Sequence, residues 1–179
     1  MSIFISGGCK NGKSTLAERI ASASAGPRYY VATMIPHDGE DEARIRRHRL
    51  ARRELGFTTI ECGRSILDAL QSADTAGAFL IDSVTALLAN EMFTEGGAFV
   101  PNAADMVARD LLAFIAKAPD TVLVSDDIFQ DAGLYDEWTE RYRAGLGMIG
   151  CSLAKACDRV IEVVAGQAII YKGDVPWNC

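Results

Sequence analysis

Near the amino end of the chain, Gly7-Gly8-Cys9-Lys10-Asn11-Gly12-Lys13-Ser14-Thr15 satisfies the spacing G-x-x-x-x-G-K-[ST]. Glycines at these positions let the backbone fold so that successive N–H groups point into one concavity. Together with the N-terminus of the helix that follows, that concavity solvates phosphate oxygens. Lys13 is spaced to reach the β- and γ-phosphates of a nucleotide, and the Ser14 hydroxyl to ligate Mg²⁺. The bland alternative is a glycine-rich turn between a strand and a helix. At ordinary residue frequencies a chance match in a chain of this length is on the order of 1%. Placement after the first apolar run and before the first helical pattern makes chance rarer still.

A magnesium-dependent phosphate site needs a carboxylate at the C-terminal end of a nearby apolar strand. Ala78-Phe79-Leu80-Ile81-Asp82 and Val122-Leu123-Val124-Ser125-Asp126-Asp127 both qualify. Each acid is also open to reading as the N-cap of the next helix, a common use of aspartate. Because Ser83-Val84-Thr85 leads directly into a helical pattern, Asp82 is expected on the metal side. Asp126 is expected behind it or on the substrate side.

The segment 40–55 holds the third chemical feature. Arg44, Arg46, Arg47, Arg49, Arg52 and Arg53 fall within ten residues and surround His48. An acidic first turn followed by basic turns suits a helix and its dipole. Arg44, His48 and Arg52, spaced i, i+4, i+8, would share one face. Guanidinium neighbours disfavour the imidazolium, which leaves a neutral imidazole able to attack phosphorus, with cations beside it to neutralise developing charge. Spacing alone leaves open a solvated basic face with an incidental histidine.

Strands and helices must hold these groups. Apolar runs at 2–6, 29–33, 57–61, 78–82, 121–126, 160–164 and 168–172 predict strands. Amphipathic stretches at 13–24, 40–55, 66–72, 84–93, 103–118 and 136–157 predict helices. Their alternation is the signature of an α/β fold with a mostly parallel sheet flanked by helices. The last two strands, joined at Ala165-Gly166-Gln167, read as a C-terminal antiparallel hairpin. Loops at 35–39, 96–102 and 130–135 fall where active-site loops would lie. The expected organisation is one nucleotide-binding domain over 1–173 and a tail over 174–179.

Composition narrows the partners. The chain has 179 residues, 49% of them hydrophobic, and a net charge of −6. That argues against a surface built for nucleic acid or anionic lipid. The one basic window instead suits an anionic small molecule. Five cysteines without a C-x-x-C pair suggest reduced thiols in a cytoplasm. No apolar stretch approaches the length of a membrane span.

Several elements together resemble a known family. They are Gly7-Gly8-x-x-x-Gly12-Lys13-Ser14, Tyr30-Val31-Ala32-Thr33, Arg44-Ile45-x-x-His48 with Arg52, and Phe57-x-Thr59-x-Glu61. Asp82-Ser83-Val84-Thr85, Asn90, the stretches 143–147 and 153–158, Gly166 and Lys172 continue the likeness. The chain resembles the bifunctional adenosylcobinamide kinase / adenosylcobinamide-phosphate guanylyltransferases over nearly everything to Lys172. The Arg-Ile-x-x-His element is specific to that family and favours His48 as a nucleophile.

The resemblance implies a RecA-like P-loop NTPase fold and a homo-oligomer, trimers in particular. It implies ATP and GTP as substrates with Mg²⁺, and adenosylcobinamide as the corrinoid acceptor. Phosphorylation of the aminopropanol hydroxyl would come first. Then His48 would take GMP from GTP and pass it to the substrate phosphate. Thr33, Arg44, Arg52, Glu61 and Asp82 would join residues 7–15 around nucleotide, with Ser14 and Asp82 on the metal.

The chain departs from the family pattern at Lys10 and Asn11, where arginine and serine are usual, and at Phe57, where tryptophan is usual. It departs again at Asp126-Asp127-Ile128-Phe129, which replaces an Asn-Glu-Val-Gly loop, and at Gly150, which replaces an asparagine. Two other readings compete with the resemblance. One is a P-loop kinase with no covalent intermediate. The other is a nucleotide-gated regulatory protein.

Overall fold

Along the strands, neighbouring side chains face opposite sides, and both sides are apolar. Phe4, Val31, Phe79, Ile81 and Leu123 enter one buried cluster. Ile3, Ile5, Tyr30, Leu80, Val122 and Val124 enter another. A sheet buried on both faces needs helices on both, the usual arrangement for parallel strands. The computed structural model describes residues 1–36, 54–94, 96–130 and 133–174 and shows that arrangement.

The strands are β1 (Ile3–Gly7), β2 (Arg28–Ala32), β3 (Phe57–Glu61), β4 (Ala78–Asp82), β5 (Thr121–Asp126), β6 (Arg159–Val164) and β7 (Gln167–Lys172). They form one sheet in the order β3-β2-β4-β5-β1-β6-β7. All pairings are parallel except β6 with β7. Helix α1 (Lys13–Ser22) covers one face, burying Ala17 and Ala21. Helices α2 (Val84–Met92), α3 (Ala103–Lys117) and α4 (Glu137–Ala156) cover the other with Leu88, Leu111, Phe114, Ile149 and Leu153.

The observed elements refine the predicted ones. Residues 66–72 form a 3-10 helix rather than an α-helix. Its buried residues, Ile66 and Ala69, are three apart, the repeat of a 3-10 helix. Helix α1 stops two residues early. Asp136 precedes α4 as its N-cap, accepting from the main-chain N–H groups of Trp138 and Thr139. The closing hairpin turns on two residues, Ala165 and Gly166, at φ 50° and 79°. Both signs are positive, as in the tight turn that matches strand twist, and Gln167 already pairs with Val164 in the ladder.

Lys172, the last residue of β7, returns to the C-terminus of α4. Its ammonium donates to the carbonyls of Ala154, Lys155 and Cys157 at 3.3, 3.0 and 2.6 Å. A cation at that end complements the helix dipole. Most of the arginine-rich segment (residues 40–53), part of the loops at 35–39 and 130–135, and residues 175–179 of the tail lie outside the described residues.

Candidate active site

The phosphate loop begins where β1 ends. Gly7 tolerates no side chain, because a Cβ there would collide with the side chain of Asn11 and the carbonyl of Val163. Gly12, at φ 96°, turns the chain into α1 through a conformation that favours glycine. Between them Asn11 ties the loop to the closing hairpin. Its side-chain amide donates to the Val163 carbonyl, and its own carbonyl accepts from Gly166 N–H at 3.2 Å. Its Oδ1 accepts from Lys13 N–H at 3.3 Å.

Lys13 is buried, and an ammonium out of water requires partners. It donates to the Gly8 carbonyl at 3.0 Å and pairs with Asp126 Oδ1 at 2.6 Å. Register explains the second contact. β1 and β5 are parallel neighbours in which Gly7 sits opposite Asp126, so the carboxylate emerges level with the start of the loop. The Asp126 N–H donates to Thr85 Oγ1 at 2.8 Å, and the Asp127 N–H to the Gly7 carbonyl at 2.8 Å. Tyr142 donates its hydroxyl to the Thr85 carbonyl at 2.9 Å. Burial, and secondarily the charge of Asp126, push the Tyr142 phenol up to about 12, so it remains a neutral donor.

Asp82 lies elsewhere on the same sheet edge. β5 separates its strand from β1, a spacing of roughly 10 Å at about 4.8 Å per strand. The Tyr30 hydroxyl donates to Asp82 Oδ2 at 2.7 Å. Thr33 is fully buried, and its hydroxyl donates to the Ser83 carbonyl at 2.8 Å and accepts from Ser83 N–H at 2.6 Å. Asn90 bridges the Thr33 and Gly63 carbonyls at 2.7 and 2.8 Å, joining the ends of β2 and β3. Exposed Glu61 ends β3 four strand positions from β1, roughly 19 Å away by the same spacing.

Neither acid is a helix cap. Ser83 caps α2, accepting from Ala86 N–H at 3.1 Å, and Asp136 caps α4. Both carboxylates are therefore left for other work at the C-terminal edge, where open α/β sheets bind ligands. The structure brings Gly7, Gly8, Asn11, Gly12, Lys13 and Asp126 together. Cys9 and Thr15 are exposed and Ser14 is half-buried on the same loop and first turn. Arg44, His48 and Arg52 lie outside the described residues.

Oxygen donors dominate this edge, with the Ser14 hydroxyl on α1 and carboxylates at the ends of β4 and β5. Among the described residues no cluster of three His, Cys, Asp or Glu side chains could hold a metal by itself. A single hydroxyl and a carboxylate, completed by phosphates and water, is the ligation Mg²⁺ favours. The residues therefore fit that ion.

Sequence reasoning missed the partners of these groups. Thr85 and Tyr30 entered only as parts of the elements that carry the resemblance, with no contact assigned to them, and Tyr142 entered not at all. For Thr85 a clue existed in its place on the first turn of a helix that follows a strand-end acid.

A parallel sheet buried on both faces, a phosphate loop between β1 and α1, and a strand inserted between β1 and the strand of Asp82 define a P-loop nucleotide-binding protein of RecA-like architecture. A RadB recombinase structure superposes over 97% of this chain and 81% of its own, at 17% identity and a TM-score of 0.51. That likeness bears on the fold alone. The chain belongs to the cobinamide kinase / cobinamide phosphate guanyltransferase family, whose model matches residues 3–170. It is therefore an enzyme of a kinase and guanylyltransferase family.

Two curated relatives agree. The bifunctional adenosylcobalamin biosynthesis protein CobP of Pseudomonas aeruginosa is 33% identical over 173 residues, 96% of this chain and 97% of its own. The corresponding protein CobU of Salmonella typhimurium is 31% identical over 184 residues, covering 96% and 100%.

Proposed function

We propose that this enzyme phosphorylates the aminopropanol hydroxyl of adenosylcobinamide with ATP or GTP. It then joins GMP from GTP to the new phosphate through a histidine-bound intermediate. The observation that carries the first half is the buried Lys13 ammonium, held between the Gly8 carbonyl and Asp126 at the mouth of the phosphate loop. A triphosphate offers Lys13 more negative charge than one carboxylate, so the β- and γ-phosphate oxygens replace Asp126 as its partner.

The released carboxylate faces the substrate side. It accepts the proton of the substrate hydroxyl as that oxygen attacks the γ-phosphorus. The bond from that phosphorus to the β–γ bridging oxygen breaks, and the nucleoside diphosphate leaves with the electron pair. Ser14 and Asp82 would hold Mg²⁺, which would supply charge neutralisation at the transferring group. Tyr30 orients Asp82, and Thr33 holds Ser83 behind it.

Support for the second half comes from family membership together with the Arg44-Ile45-x-x-His48 element. Neutral His48 attacks the α-phosphorus of GTP, a P–N bond forms, and pyrophosphate leaves. Arg44 and Arg52 offset the charge that develops on the phosphate. An oxygen of the substrate phosphate then displaces the imidazole, giving adenosylcobinamide-GDP. Glu61, at the far end of the same sheet edge, is the acid placed for this second nucleotide. We place the enzyme in the cytoplasm as a homo-oligomer, a trimer by the family resemblance.

The kinase half is tested by following transfer of labelled γ-phosphate from ATP to adenosylcobinamide. Lys13→Ala should lower kcat/KM by about a hundredfold or more, the scale of losing a charge-stabilising donor. Asp126→Asn should lower kcat while leaving KM for ATP within about twofold. Full turnover in Lys13→Ala would remove the loop from the mechanism.

A further inference from the structure

The C-terminal end of β5 outruns the strand on one side of it. Toward β1 the ladder is still level, with Gly7 opposite Asp126 and the Asp127 N–H donating to the Gly7 carbonyl at 2.8 Å. Toward β4 the ladder has already ended, at Asp82 opposite Val124, because the chain turns at Ser83 into α2. The Asp126 N–H on that side has no strand carbonyl opposite it, and a main-chain donor needs an acceptor. It donates to Thr85 Oγ1 at 2.8 Å instead.

Thr85 is fixed in turn. It is the second residue of α2, whose first turn is held by the Ser83 cap. Its main-chain carbonyl accepts the Tyr142 hydroxyl of α4 at 2.9 Å, and the Tyr142 ring lies 6.4 Å from that of Phe93, at the other end of α2. Buried Ser125 places its hydroxyl 3.5 Å from Thr85 Oγ1. The tether matters once nucleotide binds. In the structure Lys13 holds the Asp126 carboxylate at 2.6 Å. In the proposed reaction the phosphates take Lys13, and the carboxylate must stay in place to accept the substrate proton. The main-chain bonds to Thr85 and Gly7 do not depend on Lys13 and persist when that pair is broken.

We propose that Thr85 is a positioning residue for the phosphorylation: its hydroxyl holds the main chain of Asp126, and Tyr142 holds Thr85. The proposal rests on the reading of Asp126 as the acceptor of the substrate proton. Misplacing a reacting group by about an ångström can cost about a hundredfold in rate. Thr85 acts on the reacting groups only through Asp126, so its loss lowers kcat and spares the binding of ATP.

Steady-state transfer of labelled γ-phosphate from ATP to adenosylcobinamide by the full chain tests this. Thr85→Val keeps the branched shape and removes the hydroxyl. It should lower kcat by about tenfold or more and leave KM for ATP within about twofold. Thr85→Ser, which restores the acceptor, should recover kcat to within about threefold of wild type, and Tyr142→Phe, which removes only a hydroxyl, should lower kcat by about threefold. Adding Thr85→Val to Asp126→Asn should cost less than about twofold further, because the two residues act as one unit. If Asp126→Asn alone keeps full kcat, the reading of Asp126 falls and the proposal with it. If Asp126→Asn lowers kcat, three results overturn the role of Thr85 while Asp126 stands. They are wild-type kcat in Thr85→Val, a rise in KM for ATP as large as the fall in kcat, and a double variant that loses the product of the two single losses. Should Thr85→Val fail to fold, Tyr142→Phe decides, and wild-type kcat there overturns the proposal.

Discussion

Single charged groups in this protein are held by main-chain donors and by register, and that makes their energetics traceable. Asp158 Oδ2 accepts from Ser2 N–H at 2.8 Å and from the Ser2 hydroxyl at 3.2 Å, pinning the entry to β1 against the entry to β6. The Ser2 N–H bond, above all, holds its carboxyl below the ordinary value of 3.8. A carboxylate lowered by folding stabilises fully above that ordinary value. The contribution is lost as pH falls through the lowered folded value. Denaturant unfolding followed from pH 7 to pH 2 should therefore show a shallower acid limb in Asp158→Asn than in the wild type. Superimposable limbs would show that the Ser2 contacts contribute nothing to acid stability.

Reading the chain at residue level reached the loop and both strand-end acids, because each follows from local spacing. It did not reach the pairing of Lys13 with Asp126, which depends on β5 lying beside β1. No local pattern encodes strand order. The same limit hid Tyr142, whose hydroxyl reaches the Thr85 carbonyl 57 residues away in sequence.

Elements differ in how much of their character a sequence exposes. The strands 57–61, 78–82 and 121–126 are legible to the residue, since short apolar runs end at a polar group. The 3-10 helix Ile66–Ser72 is not, since the apolar spacing that favours it also fits an α-helix at this length. Glycines in α4 show why packing must be seen. At Gly145 a Cβ would lie 2.9 Å from the Ala104 Cβ and 3.4 Å from the Met92 Cε, so the bare backbone lets α4 approach α3 and α2. At Gly150 the nearest atom would be Phe4 Cζ at 3.8 Å, an ordinary contact.

Opposite outcomes follow for the same substitution. Gly150→Ala should stabilise the fold by about 0.5–1 kcal/mol, the helix-interior penalty of glycine. Gly145→Ala should destabilise it by about 1 kcal/mol or more through overpacking. Urea unfolding of the two variants measures both, and the same sign for the pair would contradict the packing described for α4.

At the scale of the whole molecule, the C-terminal edge of one sheet carries the residues of the proposed chemistry. Asp126 stands beside the loop, Asp82 two strands from β1, and Glu61 at the far margin. The span of roughly 19 Å from β1 to β3 gives room for the proposed phosphorylation at one end and the proposed nucleotide transfer toward the other. The net charge of −6 is the background to a single cationic segment, and that segment holds His48.

Whether the chain is a kinase alone or also forms a nucleotidyl-enzyme turns on His48. The most direct measurement incubates the full chain with Mg²⁺ and GTP labelled at the α-phosphate, then separates the protein under denaturing conditions. The account predicts a protein-bound label that is acid-labile, alkali-stable and lost in His48→Ala. Absence of label under conditions where the chain binds GTP, or its persistence in His48→Ala, would contradict it.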